Sequence, residues 1–464
     1  MCERPELRHC YRGRRSPGVL AIFFLLVLGI GSPRDLFAEN SGILLTRETA
    51  VHNALTSHPL VAMALDRILS ESEQVGVAKS DYLPHVSVSL NQLFLNTAFA
   101  GGVFPNFEPI APELLNPTLS QDITAFGRRH YKVKRERDLL DARKEDLREA
   151  RLTVIYHADV AYDQLAMFEH LLAGARKNEA DAALHYRMAQ ERLAKGLGVV
   201  TDVTLARVLW EKTRLSLVQE RNALNKAQAD LVYAMGQEKM APYRTDGIPT
   251  ISLPSMPLEE MIEYALRHRP LLLSAIDQDR ESEDRVAEIQ TRNYPHLSLF
   301  AQGLIFWGVP PYISGAPAGS GLFLPTFQSG VVMTIPLFVG GAITHATERA
   351  RMISRRESEK TRLVRLGIIR NIRKFYDDLI TQQETVALDQ ARYDHAKENA
   401  RLVEKRFDKG LLDGVTAVDA ETELLTSREQ LIADQFRFEM IREGLDREMG
   451  FRRDSDVAGN RERS

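Results

Sequence analysis

The sequence predicts an α+β membrane protein built twice in tandem, with very long antiparallel helical hairpins joined to short pairs of β-strands. Three observations lead there: an internal repeat of unusual length, proline-free stretches carrying apolar heptads, and short segments of period-two alternation between them. Tyr82-Leu83-Pro84-His85-Val86-Ser87-Val88 recurs as Asn293-Tyr294-Pro295-His296-Leu297-Ser298-Leu299, with the Pro-His pairs 211 residues apart. Ser57-His58-Pro59 and His268-Arg269-Pro270 keep the same offset. Arg192-Leu193-Ala194-Lys195-Gly196-Leu197 answers Arg406-Phe407-Asp408-Lys409-Gly410-Leu411 at an offset of 214. A period this long is not that of a short-repeat solenoid. It divides the chain into a first unit, 39–250, a second, 251–450, and a polar C-terminal tail, 451–464.

The N-terminus carries Arg4, Arg8, Arg12, Arg14 and Arg15, an apolar run from Val19 to Ile30, and Leu36-Phe37-Ala38. A basic n-region, an h-region and a small residue at the end are marks of a secretory signal, here 1–38, with cleavage expected after Ala38. The run is shorter than the roughly 20 apolar residues of a bilayer span. Cys2 and Cys10 both precede it, so the mature chain is expected to have no disulfide and no thiolate metal site. The absence of a Cys at the cleavage point argues against a lipid-anchored N-terminus.

Across 464 residues the net charge is −3, with 27% charged residues, which lacks the basic excess of a nucleic-acid binder. No apolar segment of membrane-helix length follows the signal. Any membrane role therefore belongs to strands in a closed barrel.

After shorter leading helices, each copy has a β-hairpin, at about 84–126 and 295–338. Val86, Val88 and Leu90 alternate with His85, Ser87, Ser89 and Asn91. Leu119, Ile123 and Ala125 alternate with Thr118, Ser120, Asp122 and Thr124, Gln121 being the lapse. In the second copy Leu297, Leu299 and Ala301 lead to Ile305 and Trp307, with Val331, Met333 and Ile335 as partner. Apolar-out, polar-in alternation is the signature of membrane barrel strands, although a soluble half-buried strand reads the same way. The Pro/Gly-rich loops at about 100–117 and 308–326 are expected to face solvent. Four strands cannot close a barrel, so other copies of the chain must complete it.

The long hairpins follow, at about 127–237 and 341–450. Leu147, Val154, Ala161, Phe168, Ala175, Ala182 and Ala189 form one series of sevens. Ala158, Leu165, Leu172, Glu179, Tyr186 and Leu193 form another, with Glu179 out of character. Such a helix would reach roughly 100 Å. The second copy keeps Ile372, Leu379, Val386, Tyr393, Ala400 and Phe407, while Gln382 and Asp389 predict that its other seam is wetter. Lys195-Gly196 and Lys409-Gly410 fit helix C-capping, and a return helix follows each.

Tyr294-Pro295-His296, Ile335-Pro336-Leu337-Phe338-Val339-Gly340-Gly341, the segment from Gly196 to Val203 and Asp419-Ala420-Glu421 together resemble the TolC-type outer membrane efflux proteins. The resemblance covers nearly all of the mature chain and rests on order, duplication and spacing. It implies a homotrimer in which four strands per chain form a twelve-stranded β-barrel in outer membrane lipid. The hairpins would form a trimeric α-barrel across the periplasm. Implied partners are a periplasmic adaptor, or membrane fusion protein, and an inner membrane pump or ABC exporter. Small drugs, metal ions and polypeptides would all suit such a duct.

The resemblance also marks a pore aperture near the tips of the second hairpin. Asp419 falls on a position of the family's aspartate ring, and the companion position is Thr416. Three copies of Asp419 would make an anionic ring suited to cation preference; a solvated residue one turn into the return helix fits the sequence equally. Asp202 matches an aspartate that pairs with an arginine in the family's closed state, but the matching position here is Leu412, which puts that salt bridge in doubt. Phe407 keeps the accompanying aromatic. Asp202 also suits a helix N-terminus, where the dipole favours an acid. Gly196, Leu197, Gly410 and Leu411 would be adaptor-docking tips, or plain caps.

His85 and His296 are repeated but lack ligand partners at metal spacing, and no cofactor is expected. No nucleophile elbow, Walker loop, zincin or dinucleotide motif is found, so no enzyme activity is expected. The rival to an export duct is a non-conducting periplasmic coiled-coil scaffold.

Overall fold

The computed structural model describes residues 43–92, 113–124, 126–196, 198–245, 251–309, 322–409, 411–412 and 414–451. The expected signal 1–38 and most of the tail lie outside them. In the first copy, β1 (Ile43–Leu44), α1 (Arg47–Ser57) and α2 (Pro59–Ser80) precede β2 (His85–Gln92), β3 (Glu113–Thr124), α3 (Arg128–Ala194) and α4 (Val200–Ala234). The second copy repeats the order as β4 (Tyr243–Arg244), α5 (Leu258–His268), α6 (Pro270–Gln290), β5 (His296–Val309), β6 (Leu322–Thr334), α7 (Ala342–Asp408) and α8 (Gly414–Met449). No helix among the described residues is long and apolar enough to cross a membrane.

Local chemistry starts and stops these elements in the same way twice. Pro59 and Pro270 open α2 and α6, where the missing N–H costs nothing. Gly236 and Gly450 close α4 and α8 with φ of 66° and 73°. Each then lies against the turn between the two short helices of its copy. A Cβ on Gly236 would come 2.6 Å from His58 Cα, and one on Gly450 would come 3.2 Å from Arg269 Cα. Glycine is required twice over, for its backbone region and for the close approach.

The rods are α3 and α7, each 67 residues, or roughly 100 Å long. Leu147, Val154, Ala158, Ala161 and Leu165 are buried along α3 against α1, α2 and α4, and Leu172, Ala175 and Ala182 are buried further along. Glu179 breaks the apolar series because Trp210 Nε1 of α4 donates to its Oε1 at 2.8 Å, and Tyr186 stacks on Trp210. In the second copy Ile368, Ile372, Leu379, Phe438 and Leu445 form a core with α5.

The seam predicted to be wet is dry. Gln382 and Asp389 are 8% and 7% exposed, because Gln382 Nε2 donates to Asp434 Oδ1 at 2.8 Å and to the Asp434 carbonyl at 3.1 Å. Polar residues enter this interface by pairing with one another rather than with water.

The four long strands form one antiparallel sheet in the order β2-β3-β5-β6, while β1 pairs with β4 in parallel. Its register separates the two faces. Ser87, Thr118, Gln302 and Gln328 stand in one row across all four strands. Ser87 and Thr118 share a 2.7 Å hydrogen bond, and Gln328 Nε2 donates to Gln302 at 3.2 Å. The neighbouring rows carry Val86, Leu119 and Ala301, then Leu90, Leu115 and Ile305. Val86, Val88, Leu90, Val331 and Met333 are all exposed in the single chain.

The strands extend further than the loop bounds drawn from composition. Pro117 and Pro325 lie inside β3 and β6. Proline is admitted in the central strand β3 because Gly303 faces it: a Cβ there would meet the Pro117 ring at 3.0 Å. Beneath the sheet Arg129 donates to the carbonyls of Asp81, Asp122 and Ile123 and covers the Tyr82 ring. Arg128 adds a 3.6 Å ion pair with Asp122, and together they fix the sheet to the rod.

The two kinds of glycine should separate on mutation. Gly196→Ala, at φ 70° with open space around it, should cost about 1 kcal/mol. Gly236→Ala adds a backbone collision and should cost roughly 2–4 kcal/mol. Equal shifts in thermal unfolding would contradict this.

Candidate functional site: the hairpin tips

The tips are built by the two turns that reverse the rods. α3 stops where Gly196 takes φ 70° and its N–H bonds the Leu193 carbonyl at 3.0 Å. In the second copy the Leu411 N–H returns to the Arg406 carbonyl at 3.0 Å, leaving the Leu411 side chain 69% exposed. Leu197 and Gly410 lie outside the described residues.

The structure brings Asp202 and Phe407 into contacts between the two hairpins. Asp202, in the first turn of α4, sets its carboxylate against the first residue of α8. A Cβ on Gly414 would fall 2.7 Å from Asp202 Oδ1. An acid packed at a helix N-terminus is stabilised by the unpaired N–H groups and dipole there. The Arg192 guanidinium lies over the Phe407 ring, 5.1 Å from its centre, joining the last turn of α3 to the last turn of α7. Leu412, at the position where the resemblance leads one to expect an arginine, offers Asp202 no charge, and no ion pair of Asp202 is found among the described residues. Two turns further in, His185 Nε2 of α3 lies 3.7 Å from Glu421 Oε2 of α8. Burial pushes the Glu421 carboxyl up; His185 opposes this, while Asp181 and Glu404 add to it.

Thr416 and Asp419 are placed differently. Both are exposed on α8, and Glu423, Thr426 and Gln430 continue their stripe at helical spacing. The adjoining face is closed by buried Ala420 and Ser427, four residues on from Thr416 and Glu423, with Gly414 buried at the helix start. Arg392 of α7 reaches into the stripe, its NH2 2.7 Å from Glu423 Oε1. Asp419 therefore stays clear of the contacts that hold the tips together. Among the described residues no group of three or more His, Cys, Asp or Glu is placed to hold a metal.

Arg192, His185 and Gly414 were not singled out by the sequence. Arg192 and Gly414 belong to recognisable turn motifs, but their partners lie on the other hairpin, and a heptad does not state how two hairpins are staggered.

A sheet with apolar and polar faces, standing on duplicated hairpins of this length, defines a strand-and-rod architecture of the outer membrane kind. The chain belongs to the outer membrane efflux protein family, whose profile matches residues 50–237 and 261–450, one stretch per copy. It is similar to the outer membrane protein TolC of Vibrio cholerae serotype O1, with 23% identity over 273 residues, covering 58% of this chain and 61% of that protein. The outer membrane efflux protein BepC of Brucella suis biovar 1 is 24% identical over 311 residues, 65% of this chain and 64% of that one. The chain thus spans less than two thirds of the length of these relatives. In fold it resembles the Campylobacter jejuni CmeC outer membrane channel, with a TM-score of 0.75 at 17% identity, covering 90% of this chain and 88% of that one.

The Arg192 contact should be measurable. A cation–π pair at an exposed site contributes about 0.5–1 kcal/mol. Arg192→Ala and Phe407→Ala should each raise tryptic cleavage at the tip residues Lys195 and Lys409 by roughly two- to fivefold. The double variant should do no more than either single one. Unchanged cleavage in both would remove the contact from the account.

Proposed function

We propose that three copies of this chain form a passive duct from the periplasm through the outer membrane. The observation that carries this reading is the four-stranded sheet whose outermost strands, β2 and β6, each have one edge unpaired among the described residues. Lipid offers no hydrogen bonds to free N–H and C=O groups, so an open edge is not tolerated there. Joining β6 of one copy to β2 of the next closes the ring, and three copies give twelve strands. The polar row Ser87-Thr118-Gln302-Gln328 then lines water, while Val86, Val88, Leu90, Val331 and Met333 meet lipid.

The strand bases support the same orientation. Tyr82, Phe126, Tyr294 and Phe338, one at each junction between strand and helix, are 47%, 53%, 54% and 87% exposed. Aromatic side chains at the boundary between lipid and water are what a barrel of this kind presents. Below them the rods continue as a tunnel long enough to reach partners in the periplasm. In this reading the Gly196 and Leu411 turns meet an adaptor's hairpins, and an inner membrane pump or ABC exporter supplies the energy. Asp419, with Thr416 one turn before it, forms the aperture ring, and the contacts of Asp202 and Phe407 hold the resting tips together.

The purified protein in planar bilayers should show discrete single-channel conductance. Asp419→Ala should weaken block by multivalent cations by at least several-fold, since removing a ring of carboxylates removes the field that attracts them. A folded oligomer without conductance would favour the non-conducting scaffold instead. Unaltered block in the variant would take Asp419 out of the aperture.

A further inference from the structure

Three pairs of acidic side chains meet between helices in the body of the protein, away from the tips. The first joins α3 to α6. Asp284 is 6% exposed and its Oδ1 takes a 2.8 Å bond from Lys134 Nζ, but neither its Oδ2 nor Oδ2 of Asp138 has a donor. The two carboxyls are in hydrogen-bond contact, with Asp277 also nearby. The second pair joins α3 to α8, across the two copies. Arg47 holds one oxygen each of Asp163 and Glu443, leaving Asp163 Oδ2 and Glu443 Oε2 without donors. Asp159 and Arg442 also face this pair, with Tyr156 of α3 against Glu443 and Glu439 of α8 paired to Arg442. The third joins α7 to α8. Asp434, fully buried, receives Gln382 and Arg437 at Oδ1, both at 2.8 Å, and Gln430 at Oδ2 at 2.6 Å. Asp389 lies against it with its Oδ2 lacking a donor, and Arg392 is the nearest cation to Asp389.

Two carboxylates in contact whose facing oxygens have no donor repel strongly when both are ionised in a buried or, as at Asp138, half-buried setting. One shared proton turns the same contact into a short O–H···O⁻ hydrogen bond. We propose that these three pairs are proton-held joints, each carrying one proton between two helices, so that the helical body tightens in acid and loosens as the pH rises.

The surroundings name the member that holds each proton. Burial, then the bond to Asp284, pushes Asp138 up to about 6. Burial and the neighbouring Asp163 push Glu443 well above the usual range. Burial and Asp434 push Asp389 up. Burial pushes Asp434 up as well, but the hydrogen bonds from Gln382, Asp389 and Gln430 and the Arg437 charge outweigh it and hold Asp434 low. In each joint the folded chain binds a proton that the unfolded chain releases near pH 4. The stabilisation is therefore complete below about pH 4 and is lost as the pH rises through the folded value. For Asp138 that window runs from about 4 to about 6. A periplasmic body would meet the pH of the surroundings directly.

The test combines Asp138→Asn, Asp389→Asn and Glu443→Gln in the full chain, because each amide supplies the donor at every pH. Between about pH 5 and about pH 8 the wild-type thermal midpoint in detergent should fall by several degrees beyond any fall in the triple variant. Parallel profiles would overturn the proposal. A readout on the wild type needs no variant. The infrared carbonyl band of protonated carboxyl groups in D₂O should persist at about pH 5.5, above the usual range for Asp and Glu. Its absence there would also overturn the proposal. Neither measurement reads conduction, so failure here leaves the duct reading standing.

Discussion

An open sheet edge in lipid is the constraint on which the rest depends. Four strands with a polar row on one face and apolar rows on the other are of no use alone in a bilayer, since two edges of N–H and C=O groups would have no partner. Nothing in the single chain covers them among the described residues. The sheet is therefore a fraction of a closed structure, and everything beneath it is shaped to stand in a ring. The Arg129 clamp under the strands carries that demand into the rods. The rods carry it to the tips.

Duplication gives the ring most of its parts at little cost in new sequence. The turns at His58 and Arg269 pack against Gly236 and Gly450 in the same way, although one turn residue is an imidazole and the other a fully buried guanidinium. Arg269 tolerates its burial because Glu149 lies 2.9 Å away on α3 and Glu448 3.8 Å away on α8. The copies part company where helices of different copies meet. The Arg47 network, the Arg269 network and the Arg192–Phe407 contact all join elements of both copies, and the repeat puts Leu258 in place of Arg47, His58 in place of Arg269 and Leu193 in place of Phe407. Packing within a copy follows the repeat. Packing between copies adds charge to ring contacts such as His170 on Phe436.

Periodicity made much of this legible. The α3 seam could be read because apolar residues recur at sevens, and the strands because they alternate at twos. Register across strands is not written in any one segment, so the row of Ser87, Thr118, Gln302 and Gln328 emerges only once four strands are aligned. Gln382 and Asp389 misled because polarity usually means water; their partner Asp434 comes from the returning helix, and only an antiparallel stagger brings it opposite. Pro117 read as loop because proline weakens a central strand, and the glycine that excuses it lies on another strand far along the chain. At the tips, Asp202, Phe407 and Leu412 were recognisable positions. Their partners Arg192 and Gly414 were not, because the contacts of Phe407 with Arg192 and of Asp202 with Gly414 depend on how the two hairpins are set side by side.

The claim that other copies close the sheet can be tested by covalent trapping. The expected mature chain has no cysteine, so one can be placed on each edge strand, as Ser89→Cys in β2 and Gln328→Cys in β6. Within one chain these strands are separated by two others, roughly 14 Å at about 4.8 Å per step, beyond the reach of a disulfide. Between adjoining copies of a closed ring they become neighbours. Mild oxidation of outer membranes, with a short bifunctional thiol reagent to span small register differences, should give covalent dimers and a ladder that stops at three chains. Monomers alone, under conditions where both thiols react with a small reagent, would contradict the closed ring and the duct with it.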